Sequence, residues 1–164
     1  MTSTRFFRWY PWVGAWHAPG LFILFIIALA ANSTVSADSN LDRLYEAAGD
    51  GDNSLVEQLL SQGADVNSRS SSGSYALNAA AVSNHHTVIR TLLSHGADVN
   101  VQNKQGDTPL ICATKYAGGD EQTVKLLVEA GTDINIADSE GKTALDYAAM
   151  KGQETAMAII QRPK

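Results

Sequence analysis

The chain has 164 residues, 45% of them hydrophobic and 18% charged, with 12 Lys and Arg against 17 Asp and Glu for a formal charge of -5. One domain fits that length, and the apolar content argues against disorder as a description of the whole. The negative balance argues against a nucleic-acid partner, which needs clustered positive charge. The single cysteine, Cys112, excludes an internal disulfide framework and a thiolate-built zinc site.

Residues 1–37 contain no Asp or Glu. They carry Arg5 and Arg8 among aromatics, run apolar from Leu21 to Ala31, and end Val35-Ser36-Ala37. A positive start, an apolar middle and small residues before a cut describe a secretory signal peptide. The apolar run is 11 residues long, whereas a spanning helix needs about 20. Extending it back to Val13 takes in His17, Pro19 and Gly20. Cleavage after Ala37 is therefore expected, with no membrane association afterwards; the rival reading keeps 1–37 as an uncleaved anchor. Phe6 and Phe7 separate the two arginines, so the general export route is expected rather than the twin-arginine one. A short signal and low cysteine content point to the bacterial periplasm. Residues 38–164 hold 10 basic and 17 acidic side chains, a net of -7, which disfavours anionic membranes and nucleic acid.

The remainder repeats itself. Gly63-Ala64-Asp65-Val66-Asn67, Gly96-Ala97-Asp98-Val99-Asn100 and Gly131-Thr132-Asp133-Ile134-Asn135 are offset by 33 and 35 residues. Leu44, Leu77, Leu110 and Leu145 keep the beat, as do Ala47, Ala80, Ala113 and Ala148. Gly51, Asn84, Gly119 and Gly152 place the two extra residues between Thr114 and Gly119, read as Ala117-Gly118. An insertion that preserves both flanking registers belongs in a turn, since two residues added to a helix rotate every later side chain by about 200°.

Each unit reads as two short helices. Leu55, Val56, Leu59 and Leu60 share one face of a second helix. Val88, Ile89, Leu92 and Leu93 do so in the next unit, and Val124, Leu127 and Val128 in the third. Gly63, Gly96 and Gly131 then stop those helices. Asn84 stands at a turn where the other units have glycine, because asparagine tolerates left-handed backbone. Thr108 and Pro109 suit the cap and first position of a helix.

The beat of 33, the Gly-Ala-Asp-Val-Asn phrase and Thr108-Pro109-Leu110 resemble the ankyrin repeat over about residues 40–162. Departures stand at Tyr75-Ala76-Leu77-Asn78, at Ile111 where histidine is usual, and at Thr143-Ala144-Leu145-Asp146. The resemblance implies an all-α fold, an α-solenoid of four stacked repeats with hairpin-like tips. Its units are 40–67 as an amino-terminal cap, 68–100, 101–135 with the insertion, and 136–164 as a carboxy-terminal cap. Polar Asn40-Leu41-Asp42-Arg43 at one end and Gln161 at the other suit terminal repeats that no neighbour covers. The array is expected to be complete at four repeats.

Chemistry is harder to find. Gly141-Lys142-Thr143 resembles the end of a phosphate loop, but Ile136 stands where that motif needs glycine. His85, His86 and His95 lack carboxylate or cysteine ligands at metal spacing. Cys112 reads as a small packed side chain, and no Gly-x-Ser-x-Gly elbow occurs. No catalytic activity, cofactor or metal is expected. The resemblance implies instead a partner protein held on the concave side, through the tips and the exposed side of the first helices. By register these surfaces offer Arg69, Ser71, Ser72 and Ser74, then Gln102, Lys104, Gln105, Asp107, Lys115 and Tyr116, then Ser139, Glu140 and Lys142. Tyr116, an aromatic beside the insertion, is the most suggestive anchor. A monomer acting as scaffold, protective companion or inhibitor is the expectation; an enzyme or small-ligand binder with a site assembled across repeats is the rival.

Overall fold

A computed structural model describes residues 42–162; the expected signal segment, 1–37, lies outside the described residues. Among these, eight helices follow in chain order: α1 (42–50), α2 (Asn53–Ser61), α3 (Ala76–Val82), α4 (His86–Ser94), α5 (Pro109–Lys115), α6 (Glu121–Glu129), α7 (Ala144–Met150) and α8 (Glu154–Ile160). The β-pairing among the described residues is confined to two isolated antiparallel bridges, Arg69 with Tyr75 and Ala137 with Thr143, at the tips that precede α3 and α7.

Local chemistry starts several of the helices. Asp52 caps α2 by accepting from the Leu55 amide at 3.0 Å, and Asp120 caps α6 through the Thr123 amide at 2.9 Å. Thr108 accepts from the Ile111 amide and Pro109 occupies the first turn of α5, where its missing N–H had no partner to lose. On α7 the cap is reciprocal: Thr143 Oγ1 accepts from the Asp146 amide, and Asp146 accepts from the Thr143 amide. These bonds from Thr143 hold the Asp146 carboxyl below its ordinary range.

The helices stack in two rows. α3 packs on α5 and α5 on α7; α2 packs on α4, α4 on α6 and α6 on α8. Leu44, Leu77 and Leu110 are buried between them, and buried Ala47, Ala80, Ala113 and Ala148 let backbones approach closely. The second row contributes Val56, Leu59, Val88, Ile89, Leu92, Val124 and Leu127 to the same core. Leu55, Leu60, Leu93 and Val128, which share the predicted faces, are only half-buried flanks of that core. The sealed seam is thus narrower than the apolar stripe. Leu145 is half-buried, because no further helix pair covers α7 among the described residues.

The repeated five-residue phrase binds units together. Asp65, Asp98 and Asp133 each accept from the amide two residues onward, at 2.9–3.0 Å, which fixes the turn. Asn67 then reaches forward, donating to the Gly96 carbonyl and accepting from the Asp98 amide at 2.7 Å. Asn100 accepts from the Asp133 amide at 2.8 Å in the same way.

Connectors differ in length where the beat slips. Three residues join α3 to α4 and α7 to α8, but five, Tyr116 to Asp120, join α5 to α6. Asn84 has φ 57°. It also donates to the Ala117 carbonyl and accepts from the Thr123 hydroxyl, so glycine there would lose two links to the next unit.

Equivalent glycines are not equally replaceable. Gly73, Gly106 and Gly141 all have left-handed φ, between 74° and 82°. A Cβ on Gly141 meets open space, and one on Gly73 meets the flexible Lys104 side chain. One on Gly106 falls 2.9 Å from the Ser139 backbone nitrogen. Gly141→Ala is therefore expected to cost about 1–2 kcal/mol for the backbone conformation alone, and Gly106→Ala measurably more. Urea titration of both variants checks the order.

Candidate functional site: a groove across the first three helix pairs

A groove of 680 Å³ crosses α1, α3 and α5 and the two tips that precede α3 and α5. Tyr45, Glu46 and Asp50 of α1 line it, with Asn78, Ala79 and Val82 of α3 and Cys112 of α5. The tips add Ser72, Ser74, Asn103 and Gln105, and Tyr116 stands just beyond α5. Val82 and Tyr116 are 39% and 54% exposed, and both line this groove.

The predicted surface residues divide. Ser72, Ser74, Gln105 and Tyr116 come together in the groove. Arg69, Ser71, Gln102, Lys104, Ser139 and Glu140 are exposed but lie outside its lining. Several of them are used by the tips themselves: Arg69 donates to the Gly73 carbonyl at 3.0 Å, and Gln102 to Gly106 at 2.8 Å. Lys142 is half-buried and pairs with Glu140 at 2.8 Å.

Two expectations need correction. Asp107 is fully buried, and Lys115 is only partly exposed, with its ammonium turned to the Asp107 carboxylate. Lys115 Nζ lies 3.0 Å from Asp107 Oδ1 and 3.1 Å from Asp138 Oδ2, with both carboxylates inaccessible. Tyr116 donates to Asp107 Oδ2 at 3.1 Å, and Tyr147 donates to Asp138 Oδ2 at 2.6 Å. The ammonium also lies 4.9 Å from the Tyr147 ring centre and 5.4 Å from that of Tyr116. This cluster ties the tip before α5 to the tip before α7. Lys115 is a fastener between units, and of the two residues Tyr116 is the exposed one.

Electrostatics there lock the ionised forms in place. Burial alone would lower the Lys115 pKa, but bonds to Asp107, Tyr147 and Asp138 outweigh it and hold the ammonium well above its ordinary range. Burial would likewise raise Asp138; bonds from Tyr147, the Lys142 amide and Lys115 hold it well below the usual carboxylate range. A general acid or base is instead poised near the working pH.

Each histidine among the described residues is accounted for by its neighbours. His85 Nε2 meets the Gly49 carbonyl at 2.9 Å, His86 Nε2 meets Asp120 Oδ2 at 2.7 Å, and His95 Nδ1 meets the Thr91 carbonyl at 2.8 Å. Among the described residues no three His, Cys, Asp or Glu side chains are grouped to hold a metal ion. Cys112 is 2% exposed, and burial pushes its thiol up to about 11 despite a bond from Asn78. Alkylation by a thiol reagent at pH 8 is therefore expected to be negligible in the folded protein and rapid in urea, since only the accessible thiolate reacts. A mass-resolved time course checks this.

Sequence reasoning overlooked Tyr45, Glu46, Asp50, Asn78 and Val82. Val82 carried a signal: it is apolar and lies outside the repeated Leu and Ala positions. Among the described residues no helix is long and apolar enough to cross a membrane.

Comparison with curated proteins finds no match. The family model for ankyrin repeats (3 copies) matches residues 44–138, which include the whole groove lining and Asp107, Lys115, Tyr116 and Asp138 of the cluster, but not Tyr147. Members of that family are generally protein–protein interaction modules, and the all-helical stack with bridged tips agrees with the match. The chain belongs to the ankyrin repeat family.

Proposed function

We propose that residues 38–164 form an α-solenoid of four ankyrin repeats, exported to the bacterial periplasm after loss of residues 1–37. In this reading the protein binds a partner protein, without catalysis, as a scaffold, protective companion or inhibitor. The exposed Val82 and Tyr116 side chains within one groove carry the reading. Tyr116 supports it further, because its hydroxyl is already fixed by Asp107 and its ring would meet a partner at little entropic cost.

The rival enzyme reading is weakened by the same geometry. Lys115 and Asp138 are displaced toward permanent ionisation and pair with each other, while the Cys112 thiol in the groove lining is displaced toward its protonated, unreactive form. The test uses the full chain expressed in its host, cross-linked in the living cell and purified. Val82→Trp, which fills the groove, is expected to abolish the cross-linked partner that the wild type retains. Capture unchanged by that substitution would overturn the groove as the contact. The mass of the purified protein decides between a cleaved signal and a retained anchor.

A further inference from the structure

We infer that the groove is built to receive a cationic side chain, lysine or arginine, on an extended segment of the partner protein. The inference rests on the groove being the recognition surface and adds what that surface selects. Glu46 and Asp50 stand one helical turn apart on α1; both are exposed, and both line the groove. Neither takes part in an ion pair among the described residues. Like charges at that spacing repel and weaken a helix, so an incoming cation relieves a cost the free protein carries.

The rest of the lining agrees. It contains no lysine or arginine. Lys115 on the neighbouring helix is held by Asp107 and Asp138, which keeps its charge from answering Glu46 and Asp50. Asn78 lines the groove with its Oδ1 buried and without a partner. Its Nδ2 is spent on the Asp107 carbonyl and the Cys112 sulfur, so what remains is an acceptor that only a donor can satisfy. Tyr45 and Tyr116 line the groove as well, and aromatic faces attract ammonium and guanidinium groups. Val82 offers apolar surface for the methylene stem of a long cationic side chain. A small free cation would use the carboxylates but not this apolar patch, which favours a protein segment as the occupant.

Three labelled peptides of alternating serine and leucine, identical except for Lys, Met or Glu at the central position, provide the probe. Fluorescence anisotropy against the purified protein is expected to show the Lys peptide binding about tenfold more tightly than the Met peptide, a difference of about 1.4 kcal/mol, and the Glu peptide weakest. The Glu46→Gln/Asp50→Asn variant is expected to bring the Lys peptide down to the Met level without changing the circular dichroism. Added salt should weaken the Lys peptide alone. Equal binding of Lys and Met peptides, no binding of the Lys peptide, or spermidine binding as tightly as the Lys peptide would overturn the inference. A cellular partner lost on Val82→Trp but kept by Glu46→Gln/Asp50→Asn would overturn it while leaving the groove reading intact; a partner kept by both would overturn the two together.

Discussion

Replacing Lys115 with methionine is expected to cost about 3–5 kcal/mol, because two buried carboxylates then face each other with no cation between them. Asp107 and Asp138 are inaccessible to water, so solvent cannot take over the role of the ammonium. For a domain of this size that loss lowers Tm by about 10–20 °C. The pH dependence gives a second signature. In the wild type Asp138 has a folded pKa below its unfolded value, so its contribution is present above about pH 4 and fades as acid protonates it. Lys115 has a folded pKa above its unfolded value, so its contribution is present below about pH 10 and fades only in strong alkali. Without Lys115 the carboxylates prefer protons, and the deficit of the variant should shrink as pH falls from 7 toward 4.5. Urea unfolding at the two pH values checks this; an equal deficit at both would show that the cluster contributes by packing and not by charge.

Ile89→Ala is expected to cost about 2–5 kcal/mol through lost burial and the cavity left behind. Ile89 is fully buried on α4, the helix that packs against α2, α3 and α6. In a stacked array each unit is stabilised by its neighbours, so the damage should spread along the row rather than stay within one hairpin. Val82→Ala, at the exposed end of α3, is expected to change stability by no more than about 0.5 kcal/mol. Thermal unfolding of the two variants separates a residue that holds the fold from one left free to recognise something. Comparable losses would mean that Val82 is a packing residue.

How much of this could be read from the chain alone depends on the range of each interaction. The beat of Leu44, Leu77 and Leu110 and of the four alanines names the buried seam, since burial must recur wherever helices stack in register. The Thr108 cap and the left-handed Asn84 are equally local, and the structure shows both. The Lys115 cluster is different. Asp138 occupies the tip position held by Asn103 in the preceding unit, and both accept backbone amides in the same turn. Asparagine and aspartate look alike as turn formers, but only aspartate brings a second, charged oxygen to Lys115 and Tyr147. That oxygen acts across a unit boundary, where a pattern of spacings says nothing about direction. The groove was partly hidden for a related reason. Mapping by tip position finds Ser72, Ser74, Gln105 and Tyr116, but the acidic wall comes from α1, whose unit lacks an equivalent tip in the sequence pattern.

The forward reach of Asn67 and Asn100 bears on how such a chain can change over generations. Each asparagine grips the loop of the following unit, and the loop that carries Asn100 is itself gripped by Asn67. Tandem duplication of one whole 33-residue period would therefore reproduce a matching socket at both new junctions. A partial copy would strand one side of the joint. Growth or contraction by complete modules is the inexpensive evolutionary path, and every such step would lengthen or shorten the stack by one rung.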